Sequence, residues 1–140
     1  MYPEGQEILI VIDDRERREE VARILGDEGF AITTAAEGLA ALRAVGSQRF
    51  AMVLTAAHLP GSLDGATTVR QARSRQPWLK ALFVEEGSIR RDRGNPETDD
   101  FIAAPFERHE LIGCTFELLH RPPTEARELS LRARTELGVA

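Results

Sequence analysis

Short apolar runs alternate along this chain with amphipathic ones. The most telling run lies in residues 50–61, FAMVLTAAHLPG, where Ala51 to Leu54 is small and apolar and Pro60-Gly61 marks a turn soon after. This pattern predicts a buried central strand ending in a loop. Ile8 to Ile12 is a second run, mostly β-branched and closed by Asp13-Asp14, as in a parallel strand covered on both faces. Three more strands are predicted: Phe30 to Ala35, Leu79 to Val84 after the Gln76-Pro77 stop, and Phe101 to Ala104 before Pro105.

Helical spacing fills the intervals. Arg15 to Glu28 carries Val21, Ile24 and Leu25 among charges, with Asp14 placed as an N-cap and Gly29 as a C-terminal cap. Glu37 to Ser47 has Leu39, Leu42 and Val45 at three-residue steps, and Asp64 to Arg75 has Val69 and Ala72 on one stripe. Glu107 to Leu119 repeats the pattern with Leu111, Ile112, Thr115, Phe116 and Leu119.

Two stretches differ. Glu85 to Asp100 has Ile89 as its single aliphatic residue, together with Gly87, Gly94 and Pro96, so a much reduced helix with local mobility is expected there. After Pro122-Pro123, Thr124 to Leu137 is only weakly amphipathic. Residues 1–120 are therefore expected to form one domain and 121–140 an extension, a short helix or flexible tail. Strands alternating with helices predict an α/β fold, a doubly wound parallel sheet with right-handed crossovers. The pattern does not give the strand order.

Composition narrows the function classes. Eighteen basic against 23 acidic residues give a net charge of −5 with the signs interspersed, so no nucleic-acid partner is expected. No stretch approaches the ~18 apolar residues of a membrane span, which leads to the expectation of a cytoplasmic protein with no membrane partner. Cys114 is the single cysteine, expected as a small buried hydrophobe. Neither a Gly-rich phosphate loop follows the first strand nor does a Ser-His-Asp or Cys-His constellation present itself, so an enzyme is not expected.

Candidate chemistry collects where parallel strands end. Asp13, Asp14, Ala56, Glu85 and Ala104 fall at such ends, and of Thr55, Ala56, Ala57 and His58 only His58 ionises near neutrality. The central strand is thus built to present a reactive group and presents an alanine.

Asp13-Asp14, Leu59-Pro60-Gly61 with Asp64-Gly65, and Ala104-Pro105-Phe106 occur in an order that resembles the receiver domain of two-component response regulators, over about residues 7–119. The resemblance implies a flavodoxin-like, CheY-like five-stranded sheet in order 2-1-3-4-5, a magnesium-binding acidic pair and a phosphorylated aspartate on the third strand. It also implies a threonine or serine ending the fourth strand, a lysine before the proline after the fifth, and a switch aromatic, here Phe101. This chain departs at three of these positions: the phosphoacceptor position is Ala56, the hydroxyl position Glu85 and the lysine position Ala104. The only lysine, Lys80, begins the fourth strand, at the opposite end of the sheet.

Chemical consequences follow from the residues themselves. Acyl-phosphate formation needs a carboxylate nucleophile, a bridging divalent cation and a neutralising cation, and Ala56 removes the first. With only Asp13 and Asp14 left as ligands, no cofactor is expected beyond weak Mg2+ binding. Glu85 is expected to enter the vacated pocket, sharing a proton with an aspartate or held by Arg90, Arg91 or Arg93. The functional expectation is a degenerate receiver, a phosphorylation-independent protein-interaction module. Its alternative is a receiver still switched through Asp64, or by pH, cation or small ligand at Asp13, Asp14 and Glu85. A histidine kinase or another response regulator is the partner implied by resemblance, with homodimerisation through the last strand, the last helix and the extension. Too few residues remain for an effector domain, so output is expected to pass through a separate protein.

Overall fold

A computed structural model describes residues 6–86 and 95–121. Five strands, β1 (Glu7–Val11), β2 (Ala31–Ala35), β3 (Met52–Ala56), β4 (Lys80–Glu86) and β5 (Asp99–Ala104), form one parallel sheet in the order β2-β1-β3-β4-β5. The helices are α1 (Arg15–Asp27), α2 (Gly38–Ser47), α3 (Gly65–Arg75) and α4 (Arg108–His120).

Alternation along the strands divides the core into two halves. Ile8, Ile10, Met52, Leu54, Leu82, Val84 and Ile102 face α1 and α4, where Val21, Ile24, Leu25, Leu111 and Leu118 meet them. Leu9, Val11, Val53, Ala81 and Phe83 face α2 and α3, against Ala41, Val45, Val69 and Ala72. Both faces are covered, which is why the strands read as unbroken apolar runs.

Helix starts follow local chemistry. Asp14 accepts the Arg17 N–H at 3.0 Å and Asp64 accepts the Thr67 N–H at 2.8 Å, each satisfying an orphan donor of a first turn. Glu107 and Glu110 make a capping box at the start of α4. Gly29, at φ 99°, takes the left-handed conformation after α1, and Phe30 N–H returns to Leu25 O.

Several expectations need adjustment. β4 runs two residues beyond Val84, where Glu85 and Glu86 pair with Ala103 and Ala104, and β5 begins at Asp99 rather than Phe101, paired with Ala81, its carboxylate engaged by Arg73 at 2.6 Å. On α2 the buried positions are Gly38, Ala41 and Val45, while Leu39 is 50% exposed. Trp78 is 43% exposed, its Nε1–H donating to Phe50 O at 2.9 Å with the Arg49 guanidinium 4.0 Å over its ring. Among the described residues no helix lies between β4 and β5. The reduced helix and mobility expected from Glu85 to Asp100 fall mainly on residues 87–94, outside the described ones, as does the expected tail beyond residue 121.

Candidate functional site

The carboxyl ends of β1, β3 and β4 surround a pocket of about 180 Å³, lined by Ile12, Asp13, Asp14, Arg17, Ala56, His58, Val84 and Glu86. Each side chain arrives there for a local reason. β1 runs out into Asp13 and Asp14, which are exposed, and Asp14 doubles as the N-cap of α1. Ala56 ends β3 beside Val84 of β4. α3 packs tightly against the end of β3, since Gly65 donates its N–H to Ala57 O at 3.0 Å, and a Cβ there would stand 2.3 Å from Ala56 O.

Glu85 is not on this wall. β4 continues to Glu86, so the two-residue period puts Val84 and Glu86 on the α1 side and turns Glu85 the other way. Glu86 takes the pocket position, and it is held by Arg17: Arg17 Nη1 donates to Glu86 Oε1 at 2.5 Å. The expected clamp from Arg90, Arg91 or Arg93 falls outside the described residues, and the arginine that lines the pocket comes from α1 instead. Arg18 lies close by, its Nη1 donating to Ile12 O at 2.8 Å and Asp13 O at 3.1 Å.

The other predicted positions lie apart. Ala104 ends β5, outside the pocket lining, and packs against the α1 and α4 half of the core. Phe101 stacks on Phe83 across β4 and β5, ring centroids 5.1 Å apart, on the opposite face of the sheet. Asp64 is engaged in its cap, and the Thr67 N–H holds its carboxyl below the usual aspartate value. His58 does reach the pocket. Lys80 lies at the other end of the sheet, donating to Leu118 O at 2.9 Å and Arg121 O at 2.7 Å, and burial pulls its pKa down.

Arg17 and Glu86 were not anticipated from the sequence. A signal existed: Arg15, Arg17 and Arg18 crowd the first turn of α1, the end of a helix where the dipole disfavours cations. Three arginines there call for nearby acceptors: Arg15 and Arg17 find the Glu19 and Glu86 carboxylates, and Arg18 finds the Ile12 and Asp13 carbonyls.

Does the pocket suit the divalent cation that the resemblance implies? Mg2+ wants near-octahedral oxygen ligation. The two adjacent carboxylates are Asp13 and Asp14, and Asp14 Oδ2 already accepts a helix N–H. Glu86 is engaged by a guanidinium, and among the described residues no group of three or more His, Cys, Asp or Glu is placed to hold a metal. The donor set present does not make a full site.

Comparison with known proteins agrees with this architecture. The response regulator receiver domain family matches residues 8–114. The transcriptional regulatory protein TctD of Salmonella typhimurium is 30% identical over 125 residues, covering 87% of this chain and 55% of its own. The transcriptional activator protein PfeR of Pseudomonas aeruginosa is 33% identical over 135 residues, covering 93% and 43%. The chain thus spans about half the length of these curated relatives. Among solved structures, a response regulator receiver protein from Sinorhizobium medicae superposes with a TM-score of 0.77 at 23% identity, over 85% of this chain and 98% of that one. The receiver domain of a sensor histidine kinase from Pseudomonas aeruginosa, solved with a magnesium ion coordinated in its active site cleft, gives 0.71 at 28% identity over 82% and 98%.

These relatives correct one expectation. Their names make them transcriptional regulators, which overturns the absence of a nucleic-acid partner inferred from charge. Net charge reports on the non-specific attraction of this stretch alone, and about half of each relative lies outside the match.

Proposed function

This chain belongs to the response regulator receiver domain family of two-component signalling, and on that premise we propose that it acts as a phosphorylation-independent receiver, a protein-interaction module. Residues 1–120 constitute the receiver unit and 121–140 an extension. The observation that carries the reading is Ala56: the residue that ends β3 inside the pocket has a methyl group where acyl-phosphate chemistry needs a carboxylate. Two further features support it. Lys80, the one lysine that could neutralise a phosphoryl group, is bonded to carbonyls at the far end of the sheet. Asp64, the alternative acceptor, has its carboxylate engaged in capping α3. Output by this reading depends on the shape of the surface as folded, with partners recognising it constitutively.

Intact mass tests the reading directly. After incubation with a small-molecule phosphodonor and magnesium, the wild-type chain is expected to keep its unmodified mass. A phosphorylated wild type overturns the proposal, and mapping would then begin at Asp64. An Ala56→Asp variant run alongside reports whether the rest of the pocket still supports transfer.

A further inference from the structure

We propose that the Arg17 guanidinium, anchored on Glu86, is a built-in counter-cation that stands in for the divalent cation in this pocket and keeps that cation out. Arg17 and Glu86 share the pocket wall with Asp13 and Asp14, and the pair spans from the first turn of α1 to the last residue of β4. Its placement is unfavourable for the helix by itself, since an arginine in a first turn opposes the dipole. The acidic rim offsets that penalty. A pocket holding Asp13, Asp14 and Glu86 would carry three like charges, and a fixed cation among them lowers their mutual repulsion without a metal.

The same cation acts against any ion that would replace it. A divalent cation meets twice the repulsion from a guanidinium that a monovalent one does, and it must also compete for Glu86, which is already engaged by Arg17. Arg18 adds to the positive side, its guanidinium resting on the Ile12 and Asp13 carbonyls beside the two aspartates. The side chain of Arg17 is 30% exposed and that of Glu86 67%, so solvent and salt weaken the pair without abolishing the local charge.

This inference concerns the pocket of the reading above, and it can fail separately: phosphate incorporation tests acceptor chemistry, whereas metal affinity tests Arg17. Titrating magnesium chloride into the full chain by calorimetry, in an Ala56→Asp background that restores a third carboxylate, compares Arg17→Gln, Arg17→Lys and Glu86→Gln. Arg17→Gln is expected to bind Mg2+ about tenfold more tightly than its parent. Arg17→Lys, which keeps the charge, should stay near the parent, and Glu86→Gln, which leaves the guanidinium unneutralised, should bind more weakly. Opposite signs for the two halves of one ion pair separate a charge effect from a merely structural contact. Equal affinity of Arg17→Gln and its parent overturns the proposal, as does a gain in Glu86→Gln matching that of Arg17→Gln. Should Ala56→Asp prove unstable, the same comparison in the Ala56 background, read with manganese by electron paramagnetic resonance, distinguishes the same outcomes.

Discussion

Asp64 shows how one carboxylate sets both a local structure and its pH response. Its Oδ1 accepts the Thr67 N–H, and this bond, more than any neighbouring charge, holds its pKa below the ordinary aspartate value of 3.8. A carboxyl with a lowered folded pKa stabilises the fold above its unfolded value, and the stabilisation disappears as pH falls through the lowered one. Asp64→Ala is therefore expected to cost about 1 kcal/mol near neutral pH, a penalty that shrinks toward zero in acid. Urea denaturation of both chains at neutral and strongly acidic pH measures it. Single residues of this kind were legible in the sequence: Asp14 was readable as a cap because an acceptor preceding a helical stripe has one obvious local use. Glu86 was not. Its neighbour Glu85 has the same chemistry, and which of the two enters the pocket depends on where β4 stops, a matter decided by pairing with β5.

Strand and helix ends govern what the elements can do. Strand-like runs located all five strands, yet the wholly apolar ones, β1 and β3 above all, carry no alternation and so do not say which side chain faces which helix. Leu39 was misplaced for a related reason: three-residue spacing suggested burial, but tight packing of α2 on its neighbours turns on Gly38 and Ala41 instead. A Cβ on Gly38 would stand 2.5 Å from Thr68 Oγ1 and 2.8 Å from Leu63 Cβ. Gly65 is more constrained still, because the obstacle is the Ala56 carbonyl, which cannot rotate away. Gly65→Ala is expected to destabilise the domain by about 2 kcal/mol through overpacking, against a small gain in helix propensity. Chemical denaturation checks the size. A near-neutral result would mean that α3 can lift off the end of β3.

At the scale of the whole molecule, the described residues form a sheet between two apolar layers, and stability should be distributed accordingly. β1 and β3 sit centrally with side chains almost wholly buried, whereas β2 is an edge strand whose residues are mostly half-buried. Amide exchange is expected to be slowest in β1 and β3 and clearly faster in β2. Uniform protection across the sheet would contradict this distribution. Strand order at this scale came from family resemblance, since adjacent and crossover connections look alike in a single sequence; sheet class, in contrast, followed from alternating element types. Lys80 holds a last consequence. It is the chain's only lysine, and its ammonium is folded onto the Leu118 and Arg121 carbonyls at the end of α4. A reagent that acylates lysine side chains within this stretch therefore has one address, and breaking the two carbonyl contacts of that amine removes hydrogen bonds from the end of α4.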